Sequence, residues 1–273
     1  MKDVERYKDA NLHHWDSLVE GHYNSDYYDV KGFKAGANQL DQIELSEVGE
    51  VSGRSLLHMQ CHFGLTTLSW ARLGADVTGF DFSPSAVTTA RKFANELKME
   101  GRFVESNVYG LSECITDRFD IVFTSYGVLC WLPDLTEWAK EAAGMIKPGG
   151  RFHMVEFHPV MQTLMKREDG TVVMGNPYFN EGAMAYEPDG TGSYATPHMP
   201  INETTYEWAH SVGEVVTAIS NAGLSIVHLN EFPYTTQGGF MACLDEDQHG
   251  LWRYPDSKHG VPLTYAIMAR KPC

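Results

Sequence analysis

With 273 residues, 43% of them hydrophobic and 21% charged, the chain is long and apolar enough for one large domain or a domain with a sizeable insertion, which excludes a disordered chain. Its 21 Lys and Arg stand against 36 Asp and Glu, a net charge of −15. A surface this acidic repels phosphate backbones, and with no local basic patch it argues against a nucleic-acid substrate.

The first residues, MKDVERYKDANLHHWD, are polar and lack the apolar core of a signal peptide. No stretch reaches the roughly 20 apolar residues of a membrane span. Cys61, Cys114, Cys130, Cys243 and Cys273 form an odd set without CxxC spacing, which points to neither a disulfide framework nor a zinc cluster. The cytoplasm is the expected compartment, and no membrane association is expected.

Residues 1–50 are rich in aromatics, among them Trp15, Tyr23, Tyr27, Tyr28 and Phe33, and SDYYDVKGFKAG is too irregular for a long helix. From residue 54 the pattern alternates between strand and helix, the signature of a parallel sheet with crossover helices. Strand SLLHM (55–59) precedes a helix from Leu65 to Leu73 that Gly74 ends, and strand DVTGFD (76–81) follows. Ser83 then caps a helix with Pro84 at its first position, where a missing N–H costs nothing. Strands follow at 101–106 and 119–126, the second an almost continuous apolar run suited to burial on both faces. A helix over 134–146 leads through the turn KPGG into a strand at 151–158. Residues 160–205 break the pattern with Gly, Pro and aromatics, as a lid or binding loop does. Periodicity resumes at SVGEVVTAISNAGL, with a Ser211–Glu214 capping box and a Gly223 stop, before strands at 225–232 and 262–269.

The segment RSLLHMQCHFGLTTLSWARLGADVTGFD (54–81) has the layout of a nucleotide-binding βαβ unit. In such a unit the loop after the first strand lets backbone approach the ligand, and the acid ending the second accepts ribose hydroxyls. Asp81 occupies that place; its alternative is a solvated strand end. The dinucleotide fingerprint GxGxxG is absent.

Taken together, these residues resemble the class I S-adenosylmethionine-dependent methyltransferases, whose first motif is an acid followed by GxGxG. Aligned on LLHMQCHFG, His58 stands at the acid, while Gln60, His62 and Gly64 stand at the three glycine positions. Gln60 and His62 must either adopt ordinary dihedrals or accept strain. Their side chains either bond the amino-acid end of the cofactor or merely rebuild the loop. Asn107 and Val108 in FVESNVYGL match the adenine-recognition position, with a plain turn asparagine as the alternative. FDIVFTSYGVLCWLPDL matches the fourth motif and sets Ser125 and Tyr126 beside the cofactor sulfur; IKPGGRF matches the stretch before strand five.

The resemblance covers residues 54–158 and implies a Rossmann-like, seven-stranded, mostly parallel sheet with helices on both faces and an antiparallel C-terminal hairpin. It implies S-adenosylmethionine as cofactor and S-adenosylhomocysteine as product. It divides the chain into an N-terminal cap (1–50) over the cofactor and a methyltransferase domain (51–273) with a lid insertion at 160–205. Phe82 and Ser83 flank the ribose acid, and Trp15 and Tyr28 are the cap residues expected over the cofactor.

The acceptor is expected beyond the carboxyl ends of the strands. Tyr126, Trp131, Glu156 and His158 reach that edge, and Glu156 and His158 alternate onto one face of their strand. His158 is a candidate base because an imidazole titrates near neutrality, and Tyr126 is the second catalytic candidate; a packed or capping histidine is the alternative. Glu156, His158 and the distant His210 lack diagnostic metal spacing, and no metal is expected. Tyr194, Trp208 and His210 join the substrate candidates, since clustered aromatics with few charges suit a small organic acceptor. Methyl transfer to O, N or S of such a molecule is the leading reading, with the oligomeric state open. A non-catalytic S-adenosylmethionine binder is the first alternative. A Rossmann oxidoreductase is the second, but it calls for GxGxxG and further parallel strands after strand five.

Overall fold

Twenty residues without Gly or Pro open the chain as helix α1 (Lys2–Asn24), with Asp3 and Glu5 in the first turn where the helix dipole favours negative charge. A computed structural model describes residues 2–179, 181–239, 241–255 and 260–273. After α1 come two short helices, α2 (Val30–Lys34) and α3 (Gln42–Val48); in the latter Asp41 and Glu44 form a reciprocal capping box.

The alternating region follows as β1 (Ser55–Met59), α4 (Leu65–Arg72), β2 (Asp76–Asp81), α5 (Pro84–Leu97), β3 (Arg102–Glu105), α6 (Leu111–Cys114), β4 (Phe119–Ser125), α7 (Leu135–Met145) and β5 (Ile146–Phe157). Beyond it lie α8 (Pro159–Thr163), the pair β6 (Leu164–Lys166) and β7 (Val172–Met174), the pair β8 (Met184–Tyr186) and β9 (Thr205–Glu207), α9 (Val212–Asn221), β10 (Ser225–Phe232), the small pair β11 (Asp245–Glu246) and β12 (Trp252–Arg253), and β13 (Thr264–Arg270).

Seven strands form one sheet in the order β10-β13-β5-β4-β1-β2-β3. The pairs β5–β4, β4–β1, β1–β2 and β2–β3 are parallel, and β13 is antiparallel to both its neighbours. Side chains alternate across the sheet. Leu57, Met59, Val122 and Met154 pack under α7 and α9, while Leu56, Val77, Ile121, Phe123 and Val155 pack against Ile43 and Trp70 on the other face. The sheet is the expected seven-stranded Rossmann-like arrangement, and strand order reverses between β1 and β4, placing a crevice at their carboxyl ends.

Four details differ from the sequence reading. KPGG lies within β5, with Gly149 at φ 75 and its N–H donating to the Lys271 carbonyl at 3.0 Å, so the bend is tied to the chain's end. Between β10 and β13, which pair antiparallel as expected, the further strand pair β11–β12 stands where the sequence reading has no element. The insertion after β5 carries two strand pairs of its own, β6–β7 and β8–β9. At α9, the Ser211 hydroxyl accepts from the Glu214 N–H, but the Glu214 carboxylate turns away to His210 Nδ1 at 3.1 Å, so only half of the capping box forms.

Gly64, which starts α4, sits where that helix meets α5 and β3. At φ 79, a Cβ there would meet the Phe103 ring at 2.5 Å and Ala90 Cβ at 3.0 Å. This glycine therefore serves close packing. Gly64→Ala combines left-handed strain with overpacking and is expected to lower unfolding stability by about 2–4 kcal/mol, read by chemical denaturation.

Candidate active site

β1 and β2 end side by side, and their two loops are joined by one carboxylate. Asp81 is 6% exposed; its Oδ2 accepts the His62 N–H at 2.8 Å and its Oδ1 accepts the Ser83 N–H at 3.0 Å. Burial pushes this carboxyl up to about 6, while the N–H groups of Ser83, His62 and Phe82 oppose the shift. To aim its N–H at Asp81, the loop adopts left-handed backbone at two bulky residues, with φ 54 at Gln60 and φ 51 at His62. Each costs about 1–2 kcal/mol relative to glycine. Of the two alternatives for these positions, ordinary dihedrals or strain, the structure has the strained one.

A cavity enclosing about 1260 Å³, its open mouth included, runs from Asp81 over the loop to the end of β4. Gln60, His62, Asp81, Phe82, Asn107, Val108, Ser125 and Tyr126 line it, joined from above by Trp15, Tyr28, Trp131 and Tyr194. Trp15 and Trp131 stand at 86° with centroids 5.3 Å apart, and the Tyr28 and Tyr194 hydroxyls are 2.6 Å apart. Gln60 Oε1 is buried with no hydrogen-bond partner among the described residues, leaving an acceptor for a donor brought by a ligand.

Two of the expected cofactor residues shape the site without lining it. Gly64 starts α4, and the Ser83 hydroxyl caps α5 and donates to Asp16 Oδ1 at 2.6 Å. Asp16 also accepts the N–H and hydroxyl of Ser85 at 2.9 and 2.7 Å, clamping α1 onto the N-terminus of α5. Asn107 lines the cavity while its Oδ1 accepts the Tyr109 N–H at 3.0 Å, as a turn asparagine does.

His158, Glu156, Trp208 and His210 do not line this cavity. His158, expected as a base, is 3% exposed. Its Nδ1 accepts the Val160 N–H at 3.1 Å to cap α8, and its Nε2 lies 2.9 Å from Glu231 Oε1 on β10. Burial lowers its pKa against the opposing pull of Glu231. Both ring nitrogens are spent on structure.

The other three stand behind the turn that presents Trp131. The Glu156 carboxylate accepts N–H bonds from Gly127, from Val128 at 2.9 Å and from Leu129 at 3.2 Å. The Trp208 N–H donates to the Cys130 carbonyl at 2.8 Å, and His210 Nε2 donates to the Leu132 carbonyl at 2.8 Å. These residues hold the wall from outside.

Several lining residues escaped the sequence reading. Lys8 and Asn11 share a face of α1 with Trp15, a spacing of three and four that a helical reading of residues 2–24 reveals. Glu44 is fully buried, and burial followed by Asp41 raises its carboxyl to about 8. Asp41 Oδ2 accepts the Tyr126 hydroxyl at 2.6 Å and the Thr236 hydroxyl, while neighbouring Gln237 reaches the cavity from the 233–263 excursion. Nothing local marks these last residues. Among the described residues no cluster of three or more His, Cys, Asp or Glu is arranged to hold a metal, and all five cysteines are free.

Comparison with known proteins agrees with this geometry. Residues 57–154 match the family described as methyltransferase domain. Over those residues the chain is similar to methyltransferase domains, and its sheet has the class I fold. An S-adenosylmethionine-dependent methyltransferase from Mesorhizobium loti superposes with a TM-score of 0.59 at 18% identity, covering 83% of this chain and 94% of that one. A ubiquinone biosynthesis O-methyltransferase of Alkalilimnicola ehrlichii is 32% identical over 130 residues, 46% of this chain and 52% of its own. The corresponding Coxiella burnetii enzyme is 27% identical over 191 residues, 69% of this chain and 76% of its own. The chain thus spans about half the length of the first of these curated relatives. Residues 1–56 and 155–273 lie outside the match.

Removing the Glu156 carboxylate would strand the N–H groups of residues 127–129. Glu156→Ala is expected to cost about 3 kcal/mol in denaturant unfolding, well above the effect of a surface Glu→Ala control.

Proposed function

We propose that this chain transfers a methyl group from S-adenosylmethionine to O, N or S of a small organic molecule. The observation that carries the reading is the buried Asp81 carboxylate, held by two backbone N–H groups beside a cavity that Trp15, Trp131, Tyr28 and Tyr194 also wall.

The residues present fit the cofactor. Asp81 suits the two ribose hydroxyls, and Asn107 with Val108 suits the adenine edge. The unpartnered Gln60 Oε1, together with Ser125, suits the ammonium of the amino-acid end. The sulfonium supplies an electrophilic methyl group. The aromatic walls contribute cation-stabilising faces and exclude water from the acceptor. A solved glycopeptide N-methyltransferase complexed with sinefungin shares the fold at a TM-score of 0.55 and 15% identity, which supports a cofactor of this kind.

A small acceptor and a cytoplasmic setting without nucleic acid complete the reading. The net charge of −15, the free thiols and the aromatic lining support it. Among the described residues no helix is long and apolar enough to cross a membrane. The cap over residues 1–50 and the lid over 160–205 belong to the same proposal, because α1 and Tyr194 each line the cavity.

Calorimetry is expected to give micromolar or tighter binding of S-adenosylmethionine and S-adenosylhomocysteine and none of NAD. Labelled methyl transfer over a panel of phenols, amines and thiols is expected to identify an acceptor. Binding of NAD in place of the sulfonium would end the reading. Only the ionised carboxylate of Asp81 accepts from both ribose hydroxyls. Affinity for S-adenosylhomocysteine should therefore be highest well above pH 6 and weaken about tenfold per pH unit below it, a dependence that Asp81→Asn removes. Titrations at pH 7.5 and pH 5 check this.

A further inference from the structure

His62 replaces a small residue in the cofactor loop, and its side chain projects into the cavity at the end occupied by Trp15, Tyr28 and Tyr194. Its Nε2 lies 3.1 Å from His22 Nδ1 on α1, and His22 Nε2 lies 2.8 Å from the Ser193 hydroxyl of the insertion. Ser193 Oγ in turn lies 2.8 Å from the Thr196 hydroxyl and 3.2 Å from its N–H. His62 Nδ1 makes no hydrogen bond within the described chain and is not sealed off from solvent. We propose that His62 is the general base of the methyl transfer, taking the proton of an acceptor O–H or S–H on Nδ1, with His22 as its positioning residue. The proposal rests on the methyltransferase reading above and names its acceptor class: a nucleophile that carries a proton to lose.

The hydrogen-bond chain admits a direction that suits this role. With the proton of the neutral ring on Nε2, its preferred tautomer, His62 donates to His22 Nδ1 and His22 donates to Ser193 Oγ. Ser193 Oγ then accepts from His22 and from the Thr196 N–H and donates to the Thr196 hydroxyl, using its full capacity. Nδ1 of His62 is left with a bare lone pair at the cavity. Partner-fixed tautomers of this kind are how paired imidazoles are set for proton transfer.

The charges close. As the acceptor oxygen or sulfur forms its bond to the methyl carbon, the carbon–sulfur pair stays with the departing thioether. The acceptor proton moves to His62 Nδ1, so the single positive charge of the sulfonium ends on the imidazolium. A methylated O–H or S–H is strongly acidic, so a weak base suffices. Burial and the neighbouring His22 hold His62 well below its ordinary value, and burial brings His22 down to about 4, so both rings are neutral and receptive at pH 7. The titratable groups facing the pair are Tyr28, Tyr194, Asp81 and His14. Of these, Asp81 is tied to the His62 backbone N–H, and Tyr28, Tyr194 and His14 face the two rings.

The test uses the full chain with 15N-labelled histidine, saturated with S-adenosylhomocysteine after calorimetry has shown that it binds. A chain that does not bind fails the functional reading, independently of this inference. Imidazole 15N spectra at pH 7, assigned with His62→Gly and His22→Asn, should show His62 protonated on Nε2 and bare on Nδ1; a proton on Nδ1 overturns the proposal. With catechol as the probe acceptor, His62→Gly should still bind S-adenosylhomocysteine in calorimetry, because glycine keeps the backbone N–H that Asp81 accepts. It should also lose about 100-fold in kcat/KM. Full catechol methylation by this variant overturns the proposal. His22→Asn should alter the pH profile of kcat while sparing cofactor affinity. The spectroscopic arm decides the matter without an acceptor.

Discussion

The hydrogen bond from the His62 N–H to the Asp81 carboxylate is the constraint around which the site is arranged. Burying that carboxylate between β1 and β2 is unfavourable, and the amides of residues 62 and 83 offset the cost only if their loops turn inward. In residues 60–62 the inward turn requires positive φ, which glycine would adopt without strain. This chain holds the same backbone with Gln60 and His62 and gains two side chains at a place where glycine supplies none. One carries a buried, unpartnered amide oxygen, and the other reaches α1 and, through His22, the insertion.

That exchange links the loop after β1 to segments far away in sequence. His62 bonds to α1 through His22, and His22 bonds to the insertion through Ser193. Asp16 clamps the same helix to the start of α5, while Asn11 exchanges two hydrogen bonds with the backbone of Tyr206 at 2.7 and 2.9 Å. Helix α1 is therefore fixed at three levels along its length, each to a different segment. On the opposite wall, Glu156, Trp208 and His210 grip the turn at residues 127–132 from outside and set the angle of Trp131. Core strand, insertion and cap each contribute partners, so the wall and the loop form a single polar framework.

The framework explains which residues were legible. Hydrophobic runs of strand length, Ser83 before Pro84 and Gly74 after α4 are local signals, and the elements they mark stand where the sequence puts them. Asp81 and the loop at 60–64 were legible because a βαβ unit brings the ends of adjacent parallel strands together. His158 was misread as cavity-facing. Alternation along β5 correctly pairs it with Glu156 on one face, but which space that face borders depends on α8 and β10, which cover it. Lys8 and Asn11 were accessible to a helical reading of α1 that the irregular segment after it obscured. Gln237, Asp41 and the His22–Ser193 link had no local signal.

By itself, then, the sequence determined the parallel sheet, its strand ends and the acid at position 81 beside the crevice, since periodicity, capping and strand termination are written in neighbouring residues. Only the tertiary structure decided where each polar side chain spends its hydrogen bonds: His158 on a helix cap, Glu156 behind a turn, His62 and His22 on each other. The reason is physical. A strand or helix specifies the face on which a side chain emerges, but its partner comes from whichever distant segment packs over that face.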